Sequence, residues 1–171
     1  MQLYSERGFD STTVAQIAQA AGLTERTFFR HFADKREVLF WGAEALQDFL
    51  VHEVEAAPPS STPLDALAAA FVQAATVISQ QRRDLARRRH AIITANAELQ
   101  ERELVKMSRL AGALAAALGR RGLREHDASL AAEVGVALFK VAFESWARDT
   151  SEKELAQVIL ETVANLRTVA T

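Results

Sequence analysis

The sequence predicts an all-α protein, because three observations favour helices over a sheet. Ala and Leu abound, whereas the 171 residues include only 7 Gly and 3 Pro. Apolar residues recur at intervals of three and four, as they do on one face of a helix. No segment of useful length alternates apolar and polar residues with period two. We expect a small N-terminal three-helix unit, residues 1–41, followed by a larger helical bundle, residues 42–171.

Composition excludes several classes of function. The chain has no cysteine, which excludes disulfides, thiolate metal sites and cysteine nucleophiles. The first residues lack the apolar stretch of a signal peptide, and the longest purely apolar run, Ala66 to Val72, is too short to span a bilayer. We therefore expect a cytoplasmic protein without a membrane partner. The net charge of −2 does not favour nucleic-acid binding, but Thr24 to Arg36 carries four Lys or Arg against two acids.

Helix signals are densest in the N-terminal unit. Gly8 is typical of the residue after a helix, and Thr13 with Gln16 fits a capping box. Gly22 favours a left-handed turn, and Thr24 then predicts the start of a short helix. The predicted segments are helices at Val14–Ala21, Glu25–Phe32 and Lys35–Glu55, and a loop at Ala56–Pro63. Beyond the loop, apolar periodicity predicts helices around Leu64–Ile78, Leu85–Ala95, Leu104–Leu118, Leu130–Trp146 and Leu155–Leu166.

The two short helices around Gly22 form the pattern of a helix-turn-helix. Phe28 and Phe32 are four residues apart and share the face that packs on the rest of the unit. The opposite face then carries Glu25, Arg26, Thr27, Phe29 and Arg30. A helix fits the DNA major groove, where its N-terminal residues reach base edges, while hydroxyls and ammonium groups suit phosphates.

This segment resembles the DNA-binding segment of the TetR (tetracycline-repressor) family over about Leu3 to Leu39. The matching residues are Gly8-Phe9, Thr12-Thr13-Val14, Ile17-Ala18, Ala21-Gly22-Leu23, Thr27-Phe28-Phe29-Arg30-His31-Phe32 and Lys35. The resemblance implies a helix-turn-helix domain joined to a helical effector-binding and dimerisation domain. It implies base reading mainly by Glu25 and Arg26. The full predicted DNA contact set is Thr13, Thr24, Glu25, Arg26, Thr27, Phe29, Arg30, His31 and Lys35.

The chain departs from the family pattern at two points. The family often has Tyr at the position of Phe29, so a phosphate-contacting hydroxyl is absent and the ring is left to touch sugar or a thymine methyl. The family's first helix usually begins many residues earlier, and we expect only its last turn or two here. Structural roles also fit some members: Glu25 complements the helix dipole, His31 packs at the helix end, and the threonines Thr13 and Thr24 are caps.

The larger unit contains a basic cluster, Arg82, Arg83, Arg87, Arg88, Arg89 and His90, which fits either a solvated helix face or capture of an anionic effector. The stretch from Arg87 to Leu118, with Trp146, also resembles an actinobacterial branch of the family, in which some members answer to long-chain acyl-CoA. We therefore predict a small amphiphilic or apolar effector, with fatty acyl-CoA as one candidate. The candidate effector residues, whose alternative role is plain core, are Phe71, Arg87, His90, Thr94, Met107, Phe139, Phe143 and Trp146.

The last two long helices, about Asp127–Arg148 and Glu152–Thr168, are predicted to form a homodimer. The resemblance implies it, and these helices carry surplus apolar positions such as Ala131, Ala132, Val136, Phe139, Val158 and Val163. No catalytic motif is present and the four histidines are scattered, so we expect no enzyme, metal or cofactor. The predicted function is a regulator, a repressor that an effector releases from a palindromic operator. The alternative is a helical dimeric interaction protein that has lost DNA binding.

Overall fold

The computed structural model describes residues 1–77, 83–149 and 152–169, and these ranges contain ten helices and no strand. The all-α prediction is confirmed. The helices are α1 (Gln2–Arg7), α2 (Val14–Ala20), α3 (Glu25–His31), α4 (Glu37–Phe40), α5 (Ala43–Ala56), α6 (Pro63–Val77), α7 (Arg83–Thr94), α8 (Ala97–Arg120), α9 (Glu125–Arg148) and α10 (Leu155–Val169). Two residues named above, Ile78 and Arg82, lie outside the described ranges. No helix within those ranges has the length and apolar character needed to cross a membrane.

The prediction of one continuous helix over Lys35–Glu55 is wrong. The chain breaks between α4 and α5 at Trp41 and Gly42, because Gly42 adopts a left-handed conformation with φ of 83°. Such a residue cannot continue a right-handed helix. The break turns Phe40 into the core and leaves the Trp41 side chain 81% exposed.

The larger core lies among α5, α6, α8, α9 and α10. Leu67, Leu114 and Trp146 are each 1% exposed or less at its centre. Helix α9 approaches α6 closely at Gly135, where an added Cβ would lie 2.9 Å from Leu67 Cδ1. This tight packing fixes the bundle on which α7 and the N-terminal unit rest.

A second core joins the N-terminal unit to the larger unit. Tyr4, Phe9, Leu39 and Phe40 pack in one cluster with residues from α7 and the start of α8, namely Ile92, Ile93 and Leu99. The apolar core of the helix-turn-helix unit is therefore completed by side chains that come much later in the sequence. The boundary at residue 41 stays a prediction.

Candidate DNA interface and effector region

The helix-turn-helix has the caps and the turn that its sequence predicts. Thr13 Oγ1 accepts a hydrogen bond from Gln16 N, and Thr13 N donates to Gln16 Oε1 at 3.0 Å, which completes a capping box at the start of α2. Gly22 forms the turn with φ of 68°. Thr24 Oγ1 accepts from Thr27 N at 3.2 Å and caps α3. These bonds set the direction in which α3 leaves the turn.

Helix α3 has a buried side and an exposed side. Phe28 is 2% exposed, and its ring centroid lies 5.1 Å from that of Phe32. Phe29 is 54% exposed and meets Phe28 edge-on, with centroids 5.6 Å apart and planes at 89°. Most of the predicted DNA contact set is exposed at or near this helix: Thr13, Thr24, Glu25, Arg26, Phe29, Arg30 and His31. Thr27 is half-buried, and its hydroxyl lies 3.0 Å from that of Thr24.

Lys35 is the exception in the predicted contact set, because its ammonium group binds within the chain. Nζ donates to the carbonyl oxygens of Phe9, Asp10 and Thr12 at 2.7, 3.0 and 3.0 Å, and lies 4.5 Å from the Phe9 ring centroid. Lys35 is also an acceptor, because the Tyr4 hydroxyl donates to its backbone oxygen at 2.5 Å. Burial, together with the charge of Asp34, raises the pKa of the Tyr4 phenol. A phosphate contact by Lys35 would have to replace one of three internal bonds.

Four of the predicted effector residues form what we call the aromatic row: Phe71, Phe139, Phe143 and Trp146. Phe71 and Phe139 stack with centroids 4.8 Å apart, and the row continues through Phe143 to Trp146 at 6.1 and 5.7 Å. His90 of α7 lies against the row, 6.0 Å from Phe143. Phe71, Phe139 and Trp146 are buried, so the row is filled by its own rings.

Three predicted effector residues are not part of this row: Met107, Thr94 and Arg87, the last of which belongs to the basic cluster on α7. Met107 is half-buried against the larger core. Thr94 is exposed, and its hydroxyl donates to His90 O at 2.9 Å within α7. Thr94 therefore caps its own helix and is not seen beside the aromatic rings.

Most of the basic cluster on α7 serves the fold. Arg83 donates to the carbonyl oxygens of Trp146 and Asp149 at the end of α9, and its guanidinium lies 5.2 Å from the Trp146 ring. Arg87 donates to the same Asp149 oxygen. Cations at a helix C-terminus satisfy its last carbonyls and complement the helix dipole. Arg88 is exposed, and the Nε of Arg87 is buried without a hydrogen-bond partner in the described part of the chain.

A second polar group, which sequence reasoning missed, joins α4 to α7 and α8; we call it the junction cluster (Phe40, Arg89, Arg102, Glu103 and Lys106). Arg89 Nε donates to Leu39 O at 2.6 Å, and its guanidinium bonds Glu103 at 2.9 Å. Lys106 donates to Glu103 at 2.6 Å. All three cations lie 5.2 to 5.9 Å from the Phe40 ring centroid. Only the pair of Glu103 with Lys106 is local in the sequence; Phe40 and Arg89 come from other helices, so no sequence pattern marks the cluster as a whole.

The charges of the junction cluster shift the pKa values of its members. Burial opposes ionisation of Glu103, but the charges and hydrogen bonds of Lys106 and Arg89 outweigh it, so the pKa of Glu103 lies below its usual value. Burial lowers the pKa of Lys106, and the neighbouring Arg89 acts in the same direction. Arg89 and Lys106 thus share the carboxylate of Glu103, whose negative charge offsets the repulsion between the two cations. Two further pairs tie the N-terminal unit to α8: Arg36 with Glu98, and Arg102 with Glu37.

Two open grooves lie elsewhere on the surface. One, of about 390 Å³, runs between α6 and α10, and the other, of about 450 Å³, lies between α1 and α2. Neither is lined by a predicted effector residue. No group of three potential metal ligands comes together among the described residues.

A capped helix-turn-helix with an exposed second helix, packed on a larger helical bundle, defines a class of DNA-binding regulators. Residues 1–40 match the family of bacterial regulatory proteins named tetR, and residues 61–171 match the MftR C-terminal domain. The second match alone covers more than half of the chain. The chain belongs to the TetR family of bacterial regulatory proteins.

Known proteins resemble the chain in part or in fold. The HTH-type transcriptional regulator TcmR of Streptomyces glaucescens is 39% identical over 71 residues, which are 42% of this chain and only 31% of TcmR. A putative TetR-family regulator from Mesorhizobium loti is 21% identical with a TM-score of 0.62, over 98% of this chain and 89% of that one. FadR of Thermus thermophilus, a TetR-family repressor solved with lauroyl-CoA, is 23% identical with a TM-score of 0.59 over the same shares. PfmR of Thermus thermophilus is 24% identical with a TM-score of 0.56, over 95% and 91%. These structures share the fold.

Proposed function

We propose that the protein is a dimeric repressor in the cytoplasm, not an enzyme, which binds a palindromic operator and leaves it when a small effector binds. The observation that carries this proposal is the exposed side of α3. Arg26, Phe29 and Arg30 project from a helix whose opposite side is fixed by Phe28. A helix held in this way presents one set of side chains to the major groove.

The exposed side chains divide into two roles. Glu25 and Arg26 stand in the first turn of α3, which is the part of a recognition helix that reaches base edges. Thr13 and Thr24 lie at the starts of α2 and α3, and Arg30 and His31 near the end of α3, where contacts with phosphates would set the register. We leave Lys35 out of this set because of its internal bonds.

Arg26→Ala tests the DNA-reading assignment. An operator is first selected from a random-sequence duplex library with the wild-type protein. Arg26→Ala should weaken binding of the protein to this operator by about 1–3 kcal/mol and reduce the preference for one particular base pair in each half-site. Arg109→Ala, on the exposed side of α8, removes the same charge and should leave base preference unchanged. Equal binding by wild type and Arg26→Ala would refute the assignment.

The dimer is proposed to form through α9 and α10, but through different residues from those first named. Five of those first named are buried within the chain's own core, and the sixth, Ala131, is half-buried against it: Ala132, Val136, Phe139, Val158 and Val163 are the buried five. Large apolar residues exposed along these helices include Leu130 and Val141 of α9, at 58% each, and Leu160 of α10, at 56%; Val169, at 85%, is the last residue of α10. A twofold contact across these side chains would place two α3 helices on one palindromic site, about 34–36 Å apart.

Charge insertion tests that dimer surface. Val141→Glu and Leu160→Glu should each shift the protein from dimer to monomer in sedimentation at micromolar concentration, because an unpaired carboxylate would be buried in the contact. Leu104→Glu is the matched control, since Leu104 is 62% exposed but lies on α8. A monomeric wild type would refute the dimer, and a dimer that survives both substitutions would refute the surface.

The effector is proposed to be an amphiphile whose apolar part separates the rings of the aromatic row. The row is apolar, and α7 beside it contributes His90 and the buried Nε–H of Arg87, a donor available to an anionic group. Since the rings fill the region, the ligand must favour a conformation in which they part. The junction cluster connects α7 to α4 through Arg89. A shift of α7 would therefore move α4 and, with the rest of the N-terminal unit, change the orientation of α3.

Because the FadR neighbour was solved with lauroyl-CoA, that molecule is the first probe. Titration calorimetry should compare lauroyl-CoA, laurate and free CoA. Arg87→Ala with Arg88→Ala should weaken lauroyl-CoA more than laurate and leave operator affinity nearly unchanged. Absence of binding by all three at high micromolar concentration would remove the amphiphile from the proposal, without affecting the DNA assignment.

A further inference from the structure

We infer that Phe29 contacts the C5 methyl group of one thymine in each half of the operator, and thereby selects that base. The inference rests on the proposed DNA-binding function and names a feature of the sequence that the protein reads. It is carried by the exposure, the support and the position of one aromatic ring.

Phe29 is a large apolar side chain held outward on the proposed DNA-binding side of α3. Its ring is 54% exposed, whereas the adjacent Phe28 is 2% exposed. The perpendicular contact between the two rings restrains Phe29 on its inner side, since Phe28 is itself fixed in the core. A phenyl ring has no hydrogen-bonding atom, so it offers nothing to a phosphate oxygen.

The position of Phe29 directs the ring to base edges and away from the backbone. Residues three and four apart are neighbours on a helix, so Phe29 adjoins both Arg26 and Glu25. Helical side chains lean towards the N-terminus, and the ring therefore covers the surface over the first turn of α3. That turn carries the two residues proposed to read bases.

Among the base edges in the major groove, the thymine methyl is the apolar feature that a phenyl ring can bury. Against any other edge, the ring would cover a donor or acceptor without providing a partner, which costs free energy. Both effects favour thymine over cytosine at the same place. Arg26 and Arg30 remain available for polar contacts on either side of the ring.

Deoxyuridine tests the inference, since it differs from thymidine only by the missing methyl group. In the selected operator, each thymine is replaced in turn and the affinity of the wild-type protein is measured by anisotropy. We expect one position in each half-site at which the dissociation constant rises about fourfold, the contribution of one buried methyl group, and about sixteenfold with both halves replaced. Replacing that T·A pair by C·G should also weaken binding, and 5-methylcytosine should recover part of the loss.

Substitution then assigns the contact to Phe29. Phe29→Ala should bind the thymine and uridine duplexes equally, and Phe29→Gln should do the same with a side chain of similar length. Trp41→Ala is the matched control, because Trp41 is an even more exposed aromatic residue outside α3 and should retain the uridine effect. Thermal melting checks that each variant is folded, and the wild-type uridine scan does not depend on any variant.

The outcomes separate this inference from the proposed function. A specific operator with no thymine, or with no uridine-sensitive thymine, would overturn the inference and leave DNA binding intact. So would a uridine effect of equal size in both Phe29 variants. Failure to enrich any specific duplex would instead refute the proposed function, and the inference with it.

Discussion

Lys35→Met removes the ammonium group that joins the turn after α3 to the segment between α1 and α2, while keeping most of the aliphatic chain. The three carbonyl oxygens it binds belong to Phe9, Asp10 and Thr12. The bonds to Phe9 and Thr12 are partly buried, and the bond to Asp10 is exposed. Water can replace the ammonium at Asp10 but only poorly at the other two, so the loss concentrates there.

The expected cost follows from these contacts. Two partly buried charged bonds contribute about 1–1.5 kcal/mol each, and the cation over the Phe9 ring adds about 0.5 kcal/mol. The free energy of unfolding should fall by about 3 kcal/mol, and Tm by about 6–12 °C if the chain unfolds as one unit. Arg109→Met, which removes a charge from the exposed side of α8, should change Tm by less than about 2 °C.

Thermal denaturation and operator titration at several salt concentrations distinguish the two roles of Lys35. A structural role predicts a lower Tm and, in protein kept folded at low temperature, an unchanged slope of log affinity against log salt. A phosphate contact predicts an unchanged Tm and a slope reduced by about one. The second result would refute the reasoning from the internal hydrogen bonds.

Three further predictions concern stability. The pKa of Glu103 lies below its unfolded value, so its ionised form stabilises the fold above about pH 4, and that contribution is lost as pH falls further. Glu103→Gln should therefore lower the free energy of unfolding at pH 7, measured in urea. In this variant the free energy of unfolding should also fall less steeply from pH 5 to pH 3 than in the wild type. Gly42→Ala should cost about 1–2 kcal/mol from backbone strain alone, whereas Gly112→Ala, in helical backbone with open space, should stabilise slightly; equal melting shifts would contradict this. Gly135→Ala should lower the free energy of unfolding by about 1–3 kcal/mol because its Cβ would lie too close to the buried Leu67. An unchanged Tm would show instead that Leu67 or α6 can move to make room.

The sequence could predict the helix-turn-helix because its determinants are local. The caps at Thr13 and Thr24 act over three residues, and the turn at Gly22 depends on one backbone conformation. The break at Gly42 was missed for a physical reason. Glycine inside an apolar period costs a helix only about 1 kcal/mol, so the pattern alone cannot tell tolerance from interruption.

The roles of three arginines on α7 could not be predicted, since each donates to a backbone carbonyl that is distant in the chain. Arg83 and Arg87 bind the end of α9, and Arg89 binds Leu39. A carbonyl oxygen is present at every residue and leaves no mark in the sequence. The apolar positions first named for the dimer show a similar limit: periodicity identifies apolar positions, but only packing separates buried Phe139 from exposed Val141.

The ion pairs between the N-terminal unit and α8 have a consequence for any measurement of operator binding. The pair of Arg36 with Glu98 and that of Arg102 with Glu37 are partly exposed, so dissolved ions weaken them. Added salt then acts in two ways. Its ions compete for the phosphates of the operator, and they weaken the ion pairs that hold the N-terminal unit, which contains α3, against α8. The measured salt exponent should therefore exceed the value that the phosphate contacts alone would give, about 0.9 for each phosphate. Neutralising Glu98 with glutamine would bring the two numbers closer together.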